Sequence, residues 1–236
     1  MINTMITGGN RGLGKIISLN LLKKGHIITN LSKSNNIPIE LQKNINFNSY
    51  KCDITNYKNT NKIITNIINK KNINNIILNG GITDDSFFHK MTYEQWNNVI
   101  DTNLKSIYNV LYPVINQMRE NNKGNIIFIS SVNAHKPVLG QTNYSASKNA
   151  IIAFNRCLAY ENSSKNIKCN VISPGYINTE MTEIIPEKIK NNIINEIPEK
   201  RFCDPEEINK IINLLIDDNT YIQGSNIDIN GGLFMR

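Results

Sequence analysis

Short, nearly continuous apolar runs alternate along this chain with longer stretches in which isoleucine, leucine and valine recur at three- to four-residue spacing. The runs Ile2–Thr7, His26–Leu31, Asn46–Lys51, Ile73–Leu78, Asn125–Ile129, Ile167–Ser173 and Ile227–Ile229 predict seven strands buried on both faces. Between them, Leu13–Lys24, Asn56–Lys71, Met91–Glu120 and a segment from Asn143 onward predict helices. In the second of these, Ile63, Ile64, Ile67 and Ile68 fall on one face. A further helix starts at Asp204-Pro205-Glu206-Glu207, where a capping residue precedes proline at the first helical position. Strands that alternate with helices in this way argue for an α/β chain, a Rossmann-type doubly wound parallel sheet of about seven strands with helices on both faces. No linker, repeat or low-complexity block divides it, so residues 1–236 read as one dinucleotide-binding domain. Residues 175–200, with Ile184, Ile185, Ile193 and Ile194 interrupted by Pro186 and Pro198, read as a helical flap over the site.

The first strand runs into Gly8-Gly9-Asn10-Arg11-Gly12-Leu13-Gly14. Gly8, Gly12 and Gly14 permit a tight turn and let backbone amides and the helix N-terminus approach a pyrophosphate. After the second strand, where a carboxylate would grip the ribose 2′-hydroxyl of NAD, stand Asn30, Leu31, Ser32, Lys33 and Ser34. Arg11 and Lys33 are the available cations for a 2′-phosphate, which favours NADPH with NADH as the alternative; plain solvation is the competing reading for both. Asp53 either contacts the adenine edge or caps the following helix.

The stretch Ser131–Lys148 carries the candidate chemistry. Tyr144 and Lys148 are four residues apart and share one helix face, while Ser131 follows the end of a strand, the edge where open α/β sheets hold ligands. A phenol beside an ammonium, with a hydroxyl converging on it, can donate a proton to a carbonyl oxygen. Taken alone, the Tyr-Lys pair reads more readily as a solvated helix face, and the motifs that accompany it decide for chemistry. Asn103 is polar amid Ile100, Leu104, Ile107 and Val110, and requires a partner for its amide.

Composition narrows the partners. Hydrophobic residues make up 40% and charged residues 19%, as in a soluble globule, and no run approaches the roughly 18 apolar residues of a membrane span. The chain enters its first strand at once, so a cytoplasmic protein is expected, or one whose leader has been removed. Cys52, Cys157, Cys169 and Cys203 lack metal-ligand spacing and read as reduced thiols; no metal is expected. The net charge of +7 suits anionic ligands, but no basic block is interleaved with aromatics, which argues against nucleic acid.

Taken together, T-G-G-N-R-G-L-G, N-G-G, Asn103, Ser131, Y-S-A-S-K and S-P-G-Y-I-N-T resemble the ordered motifs of the short-chain dehydrogenase/reductases over essentially the whole chain. Within that family G-I-T-D-D-S-F-F-H-K-M-T, S-S-V-N and G-Q-T-N-Y-S resemble the acetoacetyl-CoA reductases, with the 3-oxoacyl-acyl-carrier-protein reductases close behind. The resemblance implies NADPH-dependent reduction of a 3-oxoacyl thioester. Tyr144 would be the proton donor, and Lys148 would hold the nicotinamide ribose and lower the phenol's pKa. Ser131 would bind the carbonyl, and Asn103 a relay water. It also implies that Asn79, Gly80, Gly81, Pro174, Gly175, Ile177 and Thr179 surround the cofactor, that Val138, Gln141 and Tyr176 surround the substrate, and that the enzyme is a homotetramer. Gly80 replaces a usual alanine, which would loosen its loop; Asp84 stands where related reductases often carry arginine, and Val138 where glutamine is common. Coenzyme A is favoured over acyl-carrier protein because the ends of the helices near the mouth offer Lys123 and Lys165 but no arginine. The different-class alternative, a dinucleotide-binding module without turnover, conflicts with intact Ser131, Tyr144 and Lys148.

Overall fold

The computed structural model describes residues 1–217 and 221–235. Its centre is a seven-stranded parallel sheet of β1 (Asn3–Thr7), β2 (Ile27–Ser32), β3 (Phe47–Lys51), β4 (Asn75–Leu78), β5 (Gly124–Ile129), β6 (Ile167–Pro174) and β7 (Asn226–Ile229). The order β3-β2-β1-β4-β5-β6-β7 reverses direction between β1 and β4, which opens a crevice beyond their C-terminal ends.

The apolar runs are continuous because both faces are covered. Met5, Ile76, Ile126, Phe128 and Val171 point into a layer shared with α3 (Tyr57–Ile68), α5 (Ser106–Glu120) and α6 (Thr142–Asn162). Their neighbours Ile6, Ile77, Ile127, Ile129 and Ile172 point into the opposite layer, against α1 (Gly12–Lys23) and α9 (Pro205–Asp217). The polar connection after β2 holds a single helical turn, α2 (Ile39–Gln42).

Two local expectations change. Asp53 does not cap α3; Asn56 does, its side chain accepting from Asn59 N at 3.0 Å. The region 91–120 is not one regular helix. Thr92 and Gln95 form a capping box for α4 (Tyr93–Ile100), a π-helical turn covers Asp101–Lys105, and α5 follows. Asn103 lies buried within that turn, and such turns recur at functional sites.

Residues 175–200 contain α7 (Glu180–Glu183) and α8 (Glu187–Glu196). The segment is anchored rather than wholly outside the core, since Ile197 is buried at its end. Lys136 pairs with Glu196 at 2.9 Å, and Lys15 reaches Glu40 at 2.7 Å and Glu180 at 3.7 Å. No described helix is long and apolar enough to cross a membrane.

Candidate active site

At the crevice, Gly8 (φ +67°) and Gly12 (φ +48°) adopt the left-handed backbone open to glycine. A methyl at Gly14 would collide with the Gly8 carbonyl oxygen, so the turn closes only with glycine there. Gly9, which the spacing did not single out, is equally constrained: a Cβ would lie 2.5 Å from Ile6 Cγ2 and 2.7 Å from Ser18 Oγ. Its amide donates to Asn30 Oδ1 at 2.7 Å, so the residue standing where a carboxylate could have been instead ties the loop to β2. Asn10 Nδ2 donates to Asn36 O at 2.8 Å, fastening the loop to the connection after β2.

This loop borders a cavity of about 420 Å³ lined by Gly8, Asn10, Arg11, Lys33, Asp53 and Gly80, among others. Arg11 is exposed at the N-cap of α1. Lys33 also borders the cavity but pairs with Asp53 at 3.0 Å, so its charge is partly answered within the chain. Hydrogen bonds from Thr55, opposed by partial burial and reinforced by Lys33, hold the Asp53 carboxyl below the usual range. Of the two cations expected to read a 2′-phosphate, Arg11 is the less encumbered.

A second cavity, of about 330 Å³, adjoins the first through Gly81 and Ile82. Leu13, Asn79, Ser131, Tyr144, Lys148, Pro174, Gly175, Tyr176, Ile177 and Thr179 border it. β5 delivers Ser131, α6 delivers Tyr144 and Lys148, and the end of β6 delivers Pro174, so residues far apart in sequence meet at one sheet edge. Lys148 Nζ lies 5.7 Å from the centre of the Tyr144 ring and donates to Ile129 O at 2.8 Å. An ammonium has three donors, so two remain for the cleft. Burial pulls Lys148 down from the ordinary 10.5 to about 8. Gly81 leaves the space this side chain needs, because a Cβ there would lie 3.3 Å from both Lys148 Nζ and Asn103 Oδ1.

Tyr144 and Asn103 each have partners that the sequence does not show. Burial pushes the Tyr144 phenol up, a hydrogen bond from Ser131 opposes that, and the Asp85 carboxylate adds to it. The chain's own burial and the Asp85 charge therefore raise the phenol. The side-chain amide of Asn103 is occupied within the chain. Its Oδ1 accepts from Ile82 N at 2.9 Å, and its Nδ2 donates to Ile82 O at 3.0 Å and Ser147 Oγ at 3.1 Å. Asn103 thus braces the loop after β4.

The substrate expectations divide. Tyr176 borders the cavity, its ring stacked on Phe202 at 5.4 Å. Gln141 and Val138 do not border it: Gln141 is held between Asn133 and Asp85, and Val138 is half-buried in the preceding turn. Ser130, Asn133 and Thr182 border the cavity without having been singled out, since isolated hydroxyls and amides carry no spacing signal. Among the described residues no His, Cys, Asp and Glu cluster could hold a metal.

The family model for short chain dehydrogenase matches residues 3–190. The chain belongs to the short-chain dehydrogenase family. Its relatives include the acetoacetyl-CoA reductase of Shinella zoogloeoides, 39% identical over 234 residues that cover 98% of this chain and 97% of that one. The 3-oxoacyl-[acyl-carrier-protein] reductase MabA of Mycobacterium bovis is 32% identical over 235 residues, covering 99% and 93% respectively. Among solved structures, ElxO with NADP bound superposes with a TM-score of 0.89 at 26% identity, covering 98% of both chains. Within this short-chain dehydrogenase, Asp84 is turned to α4, accepting from Gln95 Nε2 at 2.9 Å. Gly80 has little room for the usual methyl, as a Cβ would lie 3.1 Å from Thr7 Oγ1. The neighbouring backbone is nonetheless tied down, with Gly80 N donating to that same Thr7 oxygen at 2.8 Å.

Proposed function

We propose that the protein is a reductase of 3-oxoacyl thioesters, with acetoacetyl-CoA as substrate and NADPH as reductant. The observation that carries this reading is the convergence of Ser131, Tyr144 and Lys148 on one cavity bordered on its far side by Pro174, Gly175 and Tyr176. The dinucleotide fits the residues present. Gly8, Gly12 and Gly14 form the cradle, Arg11 stands at the 2′-phosphate side, and no carboxylate ends β2 to favour NADH. Leu13, Asn79, Gly81, Ile177 and Thr179 would surround the nicotinamide end. When bound, the reduced nicotinamide supplies the hydride that the carbonyl carbon accepts.

The chain's residues do the rest. Ser131 donates a hydrogen bond to the substrate carbonyl oxygen, and Tyr144 gives the proton that completes the alcohol. Lys148 offers its two remaining donors to the ribose and sets positive charge under the phenol. Asn103 and Gly81 hold the loop that bounds Lys148. Tyr176 forms the wall against which the acyl group lies.

Loss of absorbance at 340 nm with acetoacetyl-CoA tests the activity, and Tyr144→Phe should abolish it. Undiminished reduction by that variant overturns the mechanism. Likeness to MabA supports a second carrier, acyl-carrier protein. A kcat/KM at least tenfold higher for the protein-bound substrate at equal salt, about 1.4 kcal/mol of transition-state stabilisation, would move the enzyme to that reading.

The expected homotetramer is supported by an apolar groove of about 590 Å³ between α5 and α6, lined by Tyr108, Leu111, Tyr112, Ile115, Phe154 and Leu158. A two-fold partner would cover it. A monomer mass in light scattering at micromolar concentration removes this claim. The cytoplasm is the compartment proposed, on the reduced cysteines alone.

A further inference from the structure

Between the loop after β4 and the catalytic pair runs a hydrogen-bonded chain that the catalytic scheme does not use. Gln141 Nε2 donates to Asp85 Oδ2 at 2.8 Å, and Asn133 Nδ2 donates to Gln141 Oε1 at 2.9 Å. Asn133 N then donates to Ser131 Oγ at 3.1 Å, and the Ser131 hydroxyl is near enough to the Tyr144 phenol to hold its pKa down. The orientation is consistent at every link. The carboxylate can only accept, which turns the Gln141 carbonyl oxygen toward Asn133. Because Ser131 Oγ accepts from a backbone amide, its own proton is left to donate. The two ends are independently fixed: Ser86 N donates to Gly140 O at 2.9 Å, and Asn143 Nδ2 donates to Asp84 O at 3.0 Å.

We infer that Asp85 is a positioning residue for the Ser131–Tyr144 pair, acting through Gln141 and Asn133 on the turn that presents the Ser131 hydroxyl to the phenol. The inference rests on the reading of Tyr144 as proton donor. It also explains why Gln141, expected at the substrate, lies outside the cavity: its amide is the middle link. The charge of Asp85 has a second effect. Around Tyr144 stand Asp85 and, behind it, Asp84 from the loop after β4, Lys148 from α6, and Tyr176 beyond the end of β6. Lys136 and Glu196 act on Tyr176. Among these, Asp85 is the negative charge that raises the phenol's pKa, and it favours the protonated, donating form. An enzyme run as a reductase gains from that at alkaline pH, and the reverse oxidation loses.

The test uses the full-length protein with Asp85→Asn, Asp85→Ala and Asp85→Glu. Asparagine can still accept from Gln141 but carries no charge; alanine breaks the chain; glutamate keeps both. Tyrosine ionisation at 295 nm, taken as the difference between each protein and its Tyr144→Phe counterpart, reports the phenol without turnover. This part therefore stands or falls separately from the substrate assignment. Asp85→Asn should move the phenol titration to lower pH, together with the alkaline limb of kcat/KM for reduction, while KM stays within twofold. Asp85→Ala should also cut kcat at least tenfold with little change in melting temperature, and Asp85→Glu should restore both. An unmoved phenol titration in Asp85→Asn, or a rise in KM alone in Asp85→Ala, overturns the inference.

Discussion

Lys148 is expected to cost the folded protein stability in the service of the site, and Lys148→Met isolates that cost. The ammonium is 4% exposed, has one protein partner at 2.8 Å, and titrates near 8 against an ordinary 10.5. That gap corresponds to about 3 kcal/mol of penalty on the charged form. Removing the hydrogen bond to Ile129 O returns about 1 kcal/mol, so the variant should be more stable at pH 7 by about 2 kcal/mol. The pH dependence follows from the lowered pKa. Below about 8 both folded and unfolded lysines are charged and the full penalty applies. Between about 8 and 10.5 the unfolded chain binds more protons, so the parent gains stability as pH rises. The advantage of methionine should therefore shrink above pH 8 at about 1.4 kcal/mol per unit, vanish near about 9.5, and become a deficit of about 1 kcal/mol by about 10.5. Urea denaturation followed by circular dichroism, at matched protein concentration and without cofactor, measures this at pH 7, 8, 9 and 10. Tyrosines and lysines remote from the site titrate equally in both proteins and cancel in the difference; making both proteins on a Tyr144→Phe background removes the phenol beside Lys148. A difference that stays constant over this range, or a variant less stable than the parent at pH 7, would refute the reasoning.

Further outcomes follow from the same structure. Arg11→Ala should raise KM for NADPH at least tenfold more than for NADH, because Lys33 is paired with Asp53; equal effects in steady-state kinetics would remove Arg11 from 2′-phosphate recognition. Gly14→Ala, forced against the Gly8 carbonyl, should weaken NADPH binding at least tenfold in a fluorescence titration. Asn155 is fully buried with both amide atoms unpartnered, so Asn155→Leu should raise the urea midpoint, by about 1–3 kcal/mol of stability; a fall would mean that its amide is satisfied.

Strand number, helix order and the glycine turn were legible because buried parallel strands and amphipathic helices each leave a periodic trace in the residues. Tyr144 and Lys148 were legible as a pair for the same reason, since four residues make one helical turn. Their meeting with Ser131 followed from topology, both segments ending at the same sheet edge. Family resemblance supplied the roles, and the structure added partners to several of these residues. Lys33 meets Asp53, Asn103 braces Ile82, and Gln141 links Asp85 to Asn133. Each of these depends on which acceptor lies within about 3 Å of a particular donor, a property of three-dimensional packing that has no periodicity along the chain. The same holds for the pKa shifts. Burial of Lys148 and the charge of Asp85 beside Tyr144 arise only when β5, α6 and the loop after β4 are brought together. By itself the sequence determined the sheet, the cradle and the reacting groups. Tertiary structure decided which polar atoms are already occupied, and so which remain free to act.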